Sequence, residues 1–213
     1  TQWGVFAIAG PKSRDVLKEI IKDAEPETAL SNKRFPWLSA RKIELGMCPV
    51  NAIRVAYTGE LGWELHHPIE MQNYLFDLLE KAGEMHGMKL VGARAQNWLR
   101  QEKSYRAFGN ELGRNATPLE ADLPRFVDLD KEFHGKAKMV ETGVRVKCCT
   151  LLIDGPEDAD PWGREVLYTP EGERVGRLTS GGYSVAFEKS IGMGYVKPDF
   201  AVEGTKLKGQ DHG

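Results

Sequence analysis

The feature that most constrains this chain is a change of texture near residues 142–148. Before it, apolar residues recur at helical spacing in several stretches. After it, helical periodicity vanishes and short strand-like pieces alternate with Gly and Pro: Cys149 to Ile153, Glu165 to Tyr168, Arg174 to Thr179 and Ile191 to Val196. Regularly punctuated short strands are the pattern of a small antiparallel sheet or barrel. The reading is therefore α+β, with a mixed part over 1–145 followed by an antiparallel β part over 146–213. At 213 residues the chain is long enough to bury a substantial core.

Within the first part, Thr1 to Ile8 reads as a strand already in progress, followed by a helix with Val16, Leu17, Ile20 and Ile21 on one face and a stop at Pro26. Asn51 to Tyr57 alternates as a strand should, Thr58-Gly59-Glu60 reads as a turn, and Leu61 to Leu65 resumes extended structure. Met71, Tyr74, Leu75, Leu78, Leu79, Ala82 and Met85 define the strongest helix, with Gly87 as its stop. A second helix is predicted over 93–105, with Trp98, Leu99 and Tyr105 toward a core. Glu102 and Arg106 would be i, i+4 neighbours on it. Residues 109–135 are turn-rich, and Gly181-Gly182-Tyr183-Ser184 reads as a further turn.

Composition narrows the function classes. The net charge of −2 does not point to nucleic acid or an anionic membrane surface. No apolar run approaches the length of a membrane span. Three cysteines, Cys48, Cys148 and Cys149, lack the spacing of a disulfide framework or a zinc site and read as reduced thiols. His66 and His67 are adjacent, so an extended backbone sends them to opposite faces and they do not share a metal. The chain carries no G-x-G-x-x-G, Walker A, H-E-x-x-H or G-x-S-x-G motif, so a redox cofactor would sit outside it.

One segment is chemically distinctive. Tyr57-Thr58-Gly59-Glu60-Leu61-Gly62-Trp63-Glu64 sets an aromatic hydroxyl and two carboxylates among glycines, which allow sharp turns or close ligand approach. A carboxylate such as Glu64 could accept paired N–H donors from a pterin-like ring; the plainer alternative is a hairpin with a solvated Glu60.

This octapeptide resembles the Y-T-G-E-x-G-(aromatic)-E signature of the glycine-cleavage aminomethyltransferase superfamily. Leu99 to Gly109, then Thr117-Pro118-Leu119-Glu120-Ala121, is similar to a stretch of dimethylglycine and sarcosine dehydrogenases. Asp154 to Gly163, Val175 to Ser184 and Gly194-Tyr195-Val196 resemble that family's C-terminal barrel. The resemblance implies a folate-binding aminomethyltransferase-type domain followed by a small antiparallel β-barrel. It implies tetrahydrofolate-dependent transfer of a methylene or aminomethyl carbon from a small N-methylated amine. It assigns Glu64 to the pterin's N–H edge and Tyr57 to the cavity wall.

The family's key aspartate has no counterpart in this sequence and lies on a segment upstream, so no catalytic residue is assigned and the chain reads as a fragment of a longer polypeptide. FAD would enter only with a separate upstream flavin domain. No metal, nucleic-acid or membrane partner is implied, and the implied location is the cytoplasm, or the mitochondrial matrix in a eukaryote. Gln96-Asn97 replaces the Arg-Asp pair of glycine-cleavage aminomethyltransferases, which favours the dehydrogenase-type branch. Asp122 stands where the family usually has Gly. Two other readings are a stand-alone aminomethyltransferase or folate-dependent demethylase, and a non-catalytic folate-binding protein. The latter group carries K-G-C-Y-x-G-Q-E, whereas Glu132 to Lys138 contains no cysteine.

Overall fold

The computed structural model describes residues 2–155 and 161–209. Thr1, part of the block between Asp154 and Gly163, and residues 210–213 lie outside the described residues. The chain divides into two compact units, residues 1–96 and 97–213.

The first unit is a four-stranded antiparallel sheet with helices on one face. Its elements are β1 (Trp3–Ala9), α1 (Ser13–Lys18), α2 (Pro26–Ala29), β2 (Ala40–Leu45), β3 (Cys48–Ile53), β4 (Gly62–Pro68) and α3 (Gln72–Glu84), and the strand order is β1-β4-β3-β2. Alternation decides which face is buried. Ile8 is paired with Trp63 and Phe6 with Leu65, and Ala52 lies beside Leu65 on the other side. These residues meet Val16 and Leu17 of α1 and Leu75 and Leu79 of α3 in one core. Gly4 has room for no side chain: a Cβ would lie 2.6 Å from Nε2 of the fully buried His67, which stacks on Phe6.

Three expectations shift here. Pro26 does not stop α1, which has already ended at Lys18; it opens α2 at the first helical turn, where a missing N–H costs nothing. Strand β3 ends at Ile53, because the chain folds back with the Val55 N–H on the Ile53 carbonyl, and Tyr57 is outside the ladder. The strongest predicted helix is present as α3, although Met85 lies beyond its end and is exposed.

The division between the units falls within α4 (Ala93–Glu102). Its C-terminal part, from Asn97, belongs to the second unit, with α5 (Lys136–Thr142), β5 (Lys147–Ile153), β6 (Val166–Tyr168), β7 (Arg174–Ser184), β8 (Lys189–Val196) and β9 (Lys208–Gly209). The five strands form one antiparallel sheet, ordered β5-β8-β7-β6-β9. Among the described residues from 150 to 200 there is no α-helix.

The buried side of α4 is polar rather than apolar. Trp98 and Leu99 are only partly covered, whereas Arg100 and Gln101 are fully buried. Arg100 Nη1 donates to Glu111 Oε2 at 2.6 Å and to the Tyr105 carbonyl at 2.8 Å. Its Nη2 donates to Ser180 Oγ at 2.6 Å and its Nε to Asn97 Oδ1 at 3.0 Å. Glu111 also accepts from Thr179, Ser180 and the Ala107 N–H. Burial pushes the Glu111 carboxyl up, but the hydrogen bonds from Ser180, Thr179 and Ala107, with the Arg100 charge, hold it below the usual range. The helix stops at Glu102, and Ser104 has a left-handed φ of 55°, so Glu102 and Arg106 are not i, i+4 neighbours on one helix. Glu102 instead accepts from Ser184 and the Ala186 N–H, while Arg106 reaches Asp122.

Gly181 and Gly182 are strand residues inside β7, not a turn. The need for glycine is steric: a Cβ on Gly182 would lie 2.1 Å from Trp98 Cδ1, and one on Gly181 would lie 2.3 Å from the Pro161 carbonyl oxygen. Residues 117–120 form a capping box, with the Glu120 N–H on Thr117 Oγ1 and the Thr117 N–H on Glu120 Oε2. Arg145 closes on the same carboxylate through Nε at 2.8 Å.

Breaking the buried pair by Arg100→Met should cost roughly 3–5 kcal/mol in urea unfolding, because it strands the Glu111 charge. The double variant Arg100→Met/Glu111→Met should lose less than the single one. A double variant that loses more would show that the pair's attraction outweighs its desolvation. Burial raises the Glu120 carboxyl, but hydrogen bonds from Arg145 and the Thr117 N–H bring it down to about 2 from 4.5. A depressed folded-state value means stability fully present above pH 4.5 and lost as pH falls toward 2. This contribution is on the order of 2 kcal/mol, allowing for the exposure of Arg145. Glu120→Gln should flatten the stability slope in that window, and an unchanged slope would contradict the assignment.

Candidate functional site

The distinctive octapeptide occupies the connection from β3 to β4 and the first half of β4. Gly59 turns the chain with a φ of 76°, its N–H on the Ala56 carbonyl. Glu60 is exposed. Gly62 sits where a Cβ would approach the Ile8 carbonyl oxygen to 2.6 Å, so its small size lets β4 lie close against β1.

From Gly62 onward, strand alternation determines direction. Trp63 and Leu65 are fully buried on the helix-covered face, so Glu64 and His66 project from the opposite face. There Glu64 is flanked by Ala7 of β1 and Ile53 of β3, and His66 by Val5 and Asn51. The Glu64 side chain is 41% exposed, with Oε2 3.2 Å from His66 Nε2. His66 is a neighbour that the separate reading of the two histidines left out. The signal for it was the i, i+2 spacing, which on a strand puts Glu64 and His66 on one face.

Tyr57 lies on the connection before β4 and is 39% exposed. Two cavities, of about 610 and 720 Å³, are lined by other residues: the first by Trp3, Lys22, Arg41 and their neighbours, the second within the second unit. With Val5 and Ala7 exposed beside it, Glu64 stands on an open, half-apolar sheet face. Such a face can present a carboxylate acceptor to paired N–H donors while apolar side chains cover a flat ring beside it.

No group of three or more potential metal-binding side chains occurs among the described residues. None of their helices is long and apolar enough to cross a membrane. Cys48, Cys148 and Cys149 are free, and burial pushes the Cys148 thiol up to about 12.

Each unit is built on one antiparallel sheet, the first covered by helices and the second joined to the polar cluster around Arg100. Residues 1–131 match the GCVT N-terminal domain and residues 147–212 the glycine cleavage T-protein C-terminal barrel domain; the chain belongs to the glycine cleavage T-protein family. It is 37% identical to human mitochondrial dimethylglycine dehydrogenase over 96% of its length, spanning 23% of that protein. It is 32% identical to the aminomethyltransferase of Natranaerobius thermophilus over 97% of its length, spanning 56% of it. The crystal structure of glycine cleavage system aminomethyltransferase T from Bartonella henselae superposes with a TM-score of 0.81 at 25% identity, covering 99% of this chain and 56% of that one. The chain thus spans about a quarter to a half of the relatives it matches.

The departure at Asp122 has a backbone cause. Its φ is 58°, the left-handed region where Gly is at ease and a side chain costs about 1 kcal/mol. Here Asp122 is held by Arg106 at 3.2 Å and Lys147 at 3.7 Å. Since exposed pairs contribute roughly 0–1 kcal/mol, Asp122→Gly should be close to neutral. Asp122→Ala keeps the strain and loses the pairs, so it should unfold about 1 kcal/mol more easily than the Gly variant. A urea midpoint for Asp122→Gly below that of Asp122→Ala would refute this account.

Proposed function

We propose that this chain is the folate-handling part of an enzyme that transfers a one-carbon unit from a small N-methylated amine to tetrahydrofolate, in the manner of dimethylglycine and sarcosine dehydrogenases. The observation that carries the reading is Glu64, presented on the open face of the first sheet from within the family's signature segment. Family membership and the 37% identity to a dimethylglycine dehydrogenase support it.

Bound tetrahydrofolate would supply N5 and N10, two nitrogens able to take the iminium carbon as a methylene bridge with release of the amine and a proton. The chain's own residues would bind and orient it. Glu64 accepts N–H donors of the pterin edge, one carboxylate oxygen already steadied by His66. Ala7 and Ile53 flank that carboxylate, with Val5 beside His66, and would cover one side of the ring. Tyr57, 39% exposed on the connection into β4, would border the bound ring. Positioning of this kind accounts for much of the rate in such transfers, because it replaces a bimolecular encounter by a held geometry.

The functional division proposed is a folate-binding domain over 1–145 and a barrel domain over 146–213. Electron transfer from the N-methyl group would need a flavin, held by a separate domain of the whole protein. A stand-alone aminomethyltransferase is the second reading, favoured by the 32% identity to the Natranaerobius enzyme. Gln96-Asn97 in place of Arg-Asp on α4 argues for the first.

Titration of tetrahydrofolate by calorimetry tests the assignment. Glu64→Gln keeps the shape and removes the charge, so affinity should fall roughly tenfold or more, the usual worth of a hydrogen bond to a charged group. Tyr57→Phe should change it little and Tyr57→Ala more. Equal affinity for wild type and Glu64→Gln would remove Glu64 from the site.

A further inference from the structure

The cavity of about 720 Å³ in the second unit is not used by the reading above. It is bounded by the loop from Phe108 to Ala116, the start of β7 and the end of β8. Its volume falls in the range of small-molecule sites. Its lining is strongly cationic for a chain of net charge −2.

Arg114, Arg174 and Arg177 all line it and are exposed, and none of their guanidinium groups has a hydrogen-bonding or ionic partner among the described residues. Lys197, on the same wall, is already paired with Glu173 at 2.6 Å. The one carboxylate in the lining, Glu111, is fully buried and engaged by Arg100, Thr179, Ser180 and the Ala107 N–H, so it does not neutralise the three guanidinium groups.

A second observation points the same way. The loop is tightened by the N–H groups of Glu111 and Leu112 on the Ala107 carbonyl. Beyond it, the backbone N–H groups of residues 113–116 find no acceptor among the described residues. Three free guanidinium groups and a run of four unbonded amides beside one cavity are donors without acceptors. Guanidinium forks and successive backbone amides are the groups that proteins use to hold carboxylates and phosphates. Phe108, 89% exposed, with Val146 and Tyr195 adds an apolar wall.

We propose that this cleft binds a small organic polyanion, a molecule carrying two or more carboxylate or phosphate groups. Each anionic group is met by one or two arginines, and the loop amides of residues 113–116 complete the shell. The residues that line it are not those around Glu64, and the proposal does not depend on the folate reading.

Calorimetric titration of the chain with citrate and, separately, inorganic triphosphate, both at fixed ionic strength, tests this. The expected result is saturable one-to-one binding of at least one probe. The probe that binds more tightly identifies carboxylate or phosphate as the natural group. Arg114→Gln and Arg177→Gln should each weaken binding about tenfold, or about 1.4 kcal/mol. Lys33→Gln, an exposed cation remote in sequence, should leave it unchanged. These arginines are exposed, so thermal unfolding of the variants should match wild type and exclude a folding artefact. Failure of both probes to saturate at millimolar concentration would overturn the proposal. So would wild-type affinity in both arginine variants, or equal weakening by Lys33→Gln, which would indicate a diffuse ion cloud.

Discussion

The buried Arg100–Glu111 pair organises the second unit. A guanidinium and a carboxylate with no solvent exposure are tolerable only when nearly every donor and acceptor is used. That requirement brings specific partners together: Asn97 from the helix, Tyr105 and Ala107 from the segment after it, and Thr179 and Ser180 from β7. The Tyr195 hydroxyl, from β8, adds a bond to the Glu111 carbonyl. Elements far apart in sequence are thereby held to one charge pair, whose geometry is directional in a way that apolar packing is not.

This network explains why the compact unit begins at residue 97, well before the change of texture near residue 145. The helix end and the irregular stretch over 103–146 have few apolar anchors of their own. Their order comes from ion pairs and from hydrogen bonds such as the Cys148 N–H on the Glu120 carbonyl. Family domains and packing units need not coincide: the matched domains meet between residues 131 and 147, while the second compact unit begins at Asn97, with the polar cluster.

In the first unit a different rule positions the chemistry. The burial of Trp63 and Leu65 against the helices obliges Glu64 to face away from them. A one-residue slip of β4 would bury the carboxylate and expose the indole, so the apolar core and the orientation of the proposed folate acceptor are the same constraint. The core is what makes Glu64 available.

The sequence by itself determined the mixed and all-β halves, the strand–turn–strand around Thr58-Gly59-Glu60, the helix at 72–84 and the family, because periodicity, glycine placement and short ordered motifs are local and survive without neighbours. It also singled out Tyr57 and Glu64, from a motif of eight consecutive residues. Only the tertiary structure decided that Arg100 is buried, that Gly181 and Gly182 continue a strand, that Asp122 adopts a left-handed backbone and that His66 supports Glu64. The first three depend on partners elsewhere in the chain: Glu111 and Ser180 for Arg100, Trp98 for Gly182, and Arg106 and Lys147 for Asp122; the fourth needs only that β4 be extended, which puts residues 64 and 66 on one face. Charged and glycine residues carry no periodic signal, so their roles are set by what the fold brings against them.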